Sequence, residues 1–250
     1  MKLNKDEFRA LAKKSITLIG MSGVGKSYLS ELLQKQGWYC HSCDYLIGTR
    51  YLVEELGAFA QDMSADDISA LSRFIGQLGN VSKGGLGMDE FCRRQDLYKE
   101  AEVRSLIEAE RVIAGRDENV VIDSTGSICE LGADEELEAL ARQSVFIYLK
   151  VRPEHHDEIL RRALDYPKPL YYERGFLLER VDAYLAERNL SDVGEIEPMA
   201  FLRWVFPYLF EARLSKYQSL ADRYGVSIYA DQFQDVQTAD EMMAVIEKAL

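Results

Sequence analysis

The sequence predicts an α/β protein built on a central parallel sheet with helices on both faces, and three observations predict it. A short apolar strand at 16–19 runs into Gly20-Met21-Ser22-Gly23-Val24-Gly25-Lys26-Ser27 and then into a helix, the setting of a G-x-x-x-x-G-K-S phosphate-binding loop. Two continuous apolar runs, Val120-Val121-Ile122 and Val145-Phe146-Ile147-Tyr148-Leu149, read as strands buried on both faces. Helical patterns separate these runs, and strands alternating with helices make a parallel sheet. The class is a P-loop NTPase three-layer sandwich. A single domain over residues 1–250 carries helical excursions at about 45–100 and 165–212.

The glycines of the loop let successive backbone N–H groups curl round a phosphate, and the next helix adds its positive N-terminal end. Gly20, Ser22, Gly23, Val24, Gly25, Lys26, Ser27 and Tyr28 are the expected nucleotide contacts. Lys26 reaches the β- and γ-phosphates and acts in catalysis, while the Ser27 hydroxyl ligates Mg²⁺.

Along the chain, residues 5–14 read as a short amphipathic helix and 27–36 as a helix with Leu29, Leu32 and Leu33 inward, ended by Gly37. Trp38-Tyr39-Cys40-His41 is a second strand, followed by Asp44. Helical patterns resume at 45–56 and 66–78, and Gly79–Gly87, with four glycines in nine residues, looks flexible. A long helix spans 88–114, others follow at 133–142 and 153–164, and 166–224 is mostly helical with a bend at Pro207. Val226–Tyr229 is the last strand, and Thr238-Ala239-Asp240-Glu241 is a capping box opening the final helix.

With 250 residues the chain can bury a sizeable core. A formal charge of −12 leaves no basic surplus for general nucleic-acid binding. No apolar run approaches a membrane span, and the charged start MKLNKDEFRALAKK is not a signal peptide. Four cysteines without framework spacing fit a reducing cytoplasm. Cys40-His41-Ser42-Cys43 is a C-x-x-C, but a zinc site needs a second pair, and Cys92 and Cys129 are isolated. The chain is read as a monomer or homodimer without nucleic-acid or membrane partners.

Ligands of open parallel sheets bind at the carboxyl ends of the strands. Asp123 ends an apolar strand, where it serves either as the carboxylate that holds Mg²⁺ or as a turn residue. Asp123-Ser124-Thr125-Gly126 also spells the D-x-x-G of a GTPase switch. The matching N-K-x-D is missing, since Asn189-Leu190-Ser191-Asp192 lacks the lysine. Asp44 either orients an acceptor hydroxyl and takes its proton, or caps the helix after it. Arg161, Arg162 and Lys168 together suit a lid that brings positive charge to ATP and excludes water, though each alone reads first as a solvated helix-face charge. His155 and His156 read as surface residues.

With these residues in view, the chain resembles the shikimate kinases and their relatives among the small P-loop kinases. The likeness starts at LIGMSGVGKS and runs through the helix to CHSCDYLIG. The family carries D-x-D there; Asp44 falls on the second aspartate, which grips substrate hydroxyls, and Ser42 replaces the first, leaving Asp123 for the metal. The family's F-R-x-x-E is similar to Tyr98-Lys99-Glu100-Ala101-Glu102, which implies Lys99 as a carboxylate-binding residue with Glu102 as its partner. Of the family's glycine triplet only Gly126 persists, as a substrate contact. The lid pattern is similar to Arg162 followed by Lys168-Pro169-Leu170, and R-x-P-L-Y to Arg213-Leu214-Ser215-Lys216-Tyr217, implying Arg213 as a second substrate cation.

The resemblance implies an ATP- and Mg²⁺-dependent kinase that phosphorylates a hydroxyl of a small acidic acceptor, shikimate first. Another sugar acid, polyol or nucleotide is the alternative acceptor. A regulatory nucleotide-binding ATPase, using the aromatic-rich stretch 195–217 as a partner surface, is the rival from another class.

Overall fold

A computed structural model of the chain describes residues 2–57 and 69–250. Its centre is a five-stranded sheet of β1 (Ser15–Ile19), β2 (Tyr39–Ser42), β3 (Val120–Asp123), β4 (Val145–Lys150) and β5 (Gly225–Tyr229). The order is β2-β3-β1-β4-β5 and every neighbouring pair is parallel. The chain forms two compact units. The first comprises Met1–Leu46, Glu102–Pro153 and Arg213–Leu250; the second comprises Ile47–Ala101 and Glu154–Ala212.

In the first unit, side chains alternate between the two faces of the sheet, as the strand period requires. Ile16, Leu18, Val121, Val145, Ile147 and Leu149 form one apolar face. Onto it pack Phe8 of α1 (Lys5–Ala10), Leu29 and Leu33 of α2 (Lys26–Gln34), and Met242, Met243 and Ile246 of the C-terminal helix Ala239–Ala249. Fully burying a side chain of this size contributes about 1.5–3 kcal/mol, so this layer is a main source of stability. On the opposite face Phe146 meets Tyr224 and Tyr148 stacks on Tyr217, with ring centroids 5.6 and 5.2 Å apart. Both tyrosines belong to the last turns of the long helix Pro198–Tyr224. Helices therefore cover both faces.

The local signals explain the boundaries. Gly37, at φ +87°, closes α2: its N–H donates to Gln34 O, and Trp38 N–H donates to Leu33 O. The capping box expected at Thr238 forms, with Glu241 N–H donating to Thr238 Oγ1 at 3.2 Å and Thr238 N–H to Glu241 Oε2 at 3.1 Å. No described helix is long and apolar enough to cross a membrane.

Expectations for the excursions need correction. The helix read over 45–56 is broken into α3 (Cys43–Leu46), a π-turn at Ile47–Tyr51 and α4 (Val53–Leu56). Leu52 N–H donates to Ile47 O, five residues back, which widens that turn. The helix read over 66–78 lies partly outside the described residues, and its described part is α5 (Ser69–Ile75). The glycine-rich stretch 79–87 is not a loose loop. Asn80 N–H donates to Ile196 O at 2.8 Å, Asn80 Nδ2 to Gly194 O at 2.6 Å and Leu86 N–H to Gln77 O at 2.7 Å. A Cβ on Gly79 would stand 2.7 Å from Ile196 O, and one on Gly85 2.7 Å from the Pro198 ring. These glycines permit close packing.

The remaining helices are α6 (Met88–Ala114), α7 (Asp134–Ala141), α8 (His156–Asp165), α9 (Arg174–Arg188), α10 (Pro198–Tyr224) and α11 (Ala239–Ala249). Pro207 lies inside α10 without ending it. The second unit has its own apolar clusters: Ile47, Leu71, Phe74 and Tyr98 in one, Phe91, Leu177, Tyr184 and Phe201 in the other.

β5 depends on the absence of a side chain at its first residue. Gly225 pairs with Phe146, and a Cβ there would lie 1.8 Å from Phe146 O. Gly225→Ala is expected to lower the unfolding free energy by about 2–3 kcal/mol through forced strand separation. Urea denaturation measures this, and an unchanged midpoint would show that β5 does not seat this closely on β4.

Candidate active site

Register assembles the site. Leu18 of β1 and Ser42 of β2 both pair with Asp123 of β3, so the three strands end together. Two residues past Leu18 the phosphate loop begins at Gly20, and two past Ser42 stands Asp44. The loop, Asp44 and Asp123 therefore share one edge of the sheet, the edge where such folds bind ligands.

Gly20, Gly23 and Gly25 take positive φ values of 144°, 85° and 100°, which L side chains rarely adopt. They turn the chain so that α2 starts at Lys26. Lys26 is 7% exposed, and its ammonium donates to Gly20 O at 2.8 Å and Met21 O at 3.2 Å. Burial lowers its pKa, while Asp123 and then Asp44 oppose the shift. Asp123 is buried; desolvation raises its pKa against the pull of Lys26 and of a hydrogen bond with the Ser27 side chain. Lys26 is thus in electrostatic reach of both Asp123 and Asp44, and Asp123 in contact with Ser27.

A hydroxyl and a carboxylate in contact, Ser27 with Asp123, form an oxygen pair suited to a hard divalent cation. Among the described residues no group of three or more His, Cys, Asp or Glu is placed to hold a metal. Mg²⁺ coordinated by phosphate, water and one or two protein oxygens needs no such group. The four cysteines are free thiols.

Asp44 is half-buried in the first turn of α3. In this turn Tyr45 N–H donates to Ser42 Oγ at 3.3 Å. Ser42, the position where the D-x-D pattern loses its first aspartate, therefore takes part in capping α3.

The loop after β3 is held from several sides. Ser124 Oγ donates to Leu18 O at 2.7 Å, and the Thr125 and Ser127 hydroxyls engage the buried Glu102 carboxyl of α6. Tyr217 OH of α10 donates to Gly126 O at 2.9 Å. Gly126 itself lies against the phosphate loop: a Cβ there would stand 2.6 Å from Ser22 Oγ and 3.2 Å from Ser22 N. Arg213 and Lys216 of α10 bind Glu130. Sequence reasoning did not single out Thr125, Ser127, Glu130 or Tyr217, because their roles come from elements about 25 to 90 residues away in the chain. The only trace in the sequence is the Arg213/Lys216/Tyr217 spacing, which puts three polar side chains on one helix face.

The nucleotide-loop residues, Asp44, Asp123, Gly126 and Arg213 all belong to the first unit; Lys99, Arg162 and Lys168 belong to the second. Lys99 is half-buried on α6. Arg162 is exposed on α8 and pairs with Glu158 at 3.2 Å, as Arg161 does with Asp165 at 3.4 Å. Such exposed pairs contribute about 0–1 kcal/mol, leaving these arginines free to change partners. Lys168 is exposed between α8 and α9.

Neither a protein-family model nor a curated protein sequence matches the chain. Among solved structures it is similar to the shikimate kinase from Bacteroides thetaiotaomicron, with a TM-score of 0.47 and 17% identity over 94% of this chain and 97% of that one. It is also similar to the shikimate kinase from Acinetobacter baumannii in complex with shikimate (TM-score 0.34, 15% identity, 84% and 97% covered). The shikimate kinase from Aquifex aeolicus matches with a TM-score of 0.30 and 17% identity, over 80% and 98%. At such identities function has to be read from the residues of the site.

Two outcomes follow from the packing of this loop. Gly126→Ala should push Ser22 and weaken nucleotide binding about tenfold or more, with little change in melting temperature, because the strain falls on an exposed turn. Calorimetric titration with ATP reads the effect, and unchanged affinity would show that the two loops are uncoupled. Glu102 supplies the second. Burial pushes its carboxyl up to about 8, against the hydroxyls of Thr125 and Ser127, from an ordinary value of 4.5. The folded chain therefore keeps a proton that the unfolded chain releases, and this share of stability, complete below pH 4.5, is lost as pH rises toward 8. Urea titrations across that window should show Glu102→Gln gaining on the wild type as pH rises; parallel curves would mean that the carboxyl is ionised throughout.

Proposed function

We propose that the chain is an ATP-dependent phosphotransferase that moves the γ-phosphate of ATP to an alcohol hydroxyl of a small acceptor. One observation carries the reading: Lys26, Ser27, Asp44 and Asp123 converge at one edge of the sheet behind a glycine-built phosphate loop. The loop's N–H groups and the start of α2 cradle the phosphates, and Lys26 brings positive charge to the β- and γ-positions. Ser27 and Asp123 would hold Mg²⁺, which when bound neutralises phosphate charge as the reaction proceeds. Asp44 orients the acceptor hydroxyl and takes its proton. The acceptor oxygen bonds to phosphorus, the bond to the ADP oxygen breaks, and a phosphate ester and ADP leave.

The sequence resemblance extends this reading to further residues. It names shikimate as acceptor, with Lys99, Gly126 and Arg213 as its contacts and Arg162 and Lys168 as lid contacts to ATP. The excursions at about 45–100 and 165–212 then serve as the acceptor-binding and lid parts of one kinase domain. Other sugar acids, polyols and nucleotides compete as acceptors. The guanine-specific reading is weakened by the use of its nearest candidate motif. Asn189 closes α9 in the left-handed conformation, and Asp192 Oδ1 accepts Gly194 N–H at 2.7 Å, so both serve as turn residues.

ADP release from Mg·ATP, with and without a panel of shikimate, sugar acids, polyols and nucleotides, tests the class. Acceptor-dependent release supports it. Steady slow hydrolysis that no acceptor raises would favour a regulatory nucleotide-binding protein. For the responding acceptor, Asp44→Asn should cut kcat by about 10²–10⁴-fold with ATP affinity nearly unchanged. Full turnover in that variant would remove Asp44 from the chemistry.

A further inference from the structure

A buried carboxyl ties α6 to the loop that borders the phosphate loop. Glu102 is 1% exposed, and the Thr125 and Ser127 hydroxyls that meet it are buried with it. Thr125 Oγ1 donates to Glu102 Oε1, and Ser127 Oγ lies 3.0 Å from both carboxyl oxygens. Between these two residues stands Gly126. Its carbonyl accepts from Tyr217 OH at 2.9 Å, and a Cβ on it would stand 2.6 Å from Ser22 Oγ of the phosphate loop. Glu102 and the phosphate loop are thus separated by one pair of hydroxyls and one turn of backbone, all inside the first unit.

Protonation changes both charge and hydrogen bonding at this point. Burial pushes the Glu102 carboxyl up to about 8, while the two hydroxyls favour its ionised form. Asp44 of α3 opposes ionisation and Arg213 of α10 favours it; Cys43 of α3 and Tyr217 of α10 face the carboxyl as well. As an acid, Glu102 has one O–H to give to one of the hydroxyls; as a carboxylate it only accepts. Ionisation therefore reverses a hydrogen bond beside Gly126 and adds negative charge to a cluster that already faces Asp44. A nucleotide on the phosphate loop brings further negative charge to the same edge of the sheet.

We propose that Glu102 is a positioning residue of the nucleotide site: acting through Thr125, Ser127 and Gly126, it sets the affinity of the phosphate loop, and a nucleotide is held more tightly when Glu102 carries its proton. By linkage, binding takes up a proton in the window where free Glu102 has begun to lose it. The inference rests on the nucleotide-binding half of the phosphotransferase reading and is independent of the acceptor.

Calorimetric titration of the full chain with ADP at saturating Mg²⁺, from about pH 7 to 9.5, reads both consequences. That window lies above the second ionisation of a phosphate, at about 6. Across it the wild-type affinity is expected to fall more than about threefold further than that of Glu102→Gln. Lys26 also loses its proton as pH rises, but it is present in both proteins and drops out of the comparison. At about pH 8.5, titrations in buffers of different ionisation heat should show a proton uptake that the variant lacks. Ser127→Ala removes a donor to the carboxylate, so the fall should move to higher pH. If Glu102→Gln does not fold, this shift decides alone.

A merely structural Glu102 would change affinity by the same factor at every pH. Wild type and Glu102→Gln falling together, to within about threefold, therefore overturn the inference. So does a fall that stays in place or moves to lower pH in Ser127→Ala. If neither protein binds ADP at any pH, the phosphate-loop reading itself fails and takes this inference with it. Binding without the difference in pH dependence removes only the role of Glu102.

Discussion

An ammonium group taken almost wholly out of water has to be surrounded by oxygen, and Lys26 imposes that demand on everything near it. Its three donors need carbonyls and carboxylates. Gly20 and Met21 turn two carbonyls inward, and Asp123 and Asp44 supply the negative charge. Each acidic partner in turn needs a strand end that delivers it to the same place. The pairing of Leu18, Asp123 and Ser42 across three adjacent strands provides this. A one-residue slip of β3 would send the Asp123 side chain to the other face and leave Lys26 buried without it.

Around this centre the loop 124–130 links the sheet to the two long helices. Glu102 of α6 holds Thr125 and Ser127, Tyr217 of α10 holds Gly126, and Arg213 and Lys216 hold Glu130. Polar groups this deeply buried must be satisfied, and here they are satisfied by one another. The loop is therefore as firmly placed as the strand it follows, and through Gly126 it borders the phosphate loop at Ser22. Phosphoryl transfer relies on positioning more than on covalent help from the protein, and a rigid border of this kind suits it.

Much of this was readable in advance, and for identifiable reasons. The P-loop is a local device: its spacing, its glycines and its flanking strand and helix are contiguous, so the sequence displays the whole of it. The strands Val120–Asp123 and Val145–Lys150 were legible because burial on both faces leaves an unbroken apolar run. The long helix Met88–Ala114 and the Thr238 capping box were legible because both follow local rules of period and hydrogen bonding. The break at Ile47–Tyr51 was not, because a π-turn is set by packing around Ile47 and Leu52 and not by a residue type. The order of Gly79–Gly87 was hidden for a related reason: glycine permits close packing as readily as motion, and only the neighbours Ile196 and Pro198 show which applies.

The sequence by itself therefore determined the strand–loop–helix unit that carries the G-x-x-x-x-G-K-S motif, the parallel α/β class and the candidacy of Asp44 and Asp123, since each depends on residues close together in the chain. The tertiary structure alone decided which charges meet. Glu130 reaches Arg213 across 83 positions, and Glu102 reaches Thr125 across 23. Those pairings follow from the packing of α6 and α10 on the sheet and from the need to satisfy polar groups there, and neither has a signature in any short stretch of sequence.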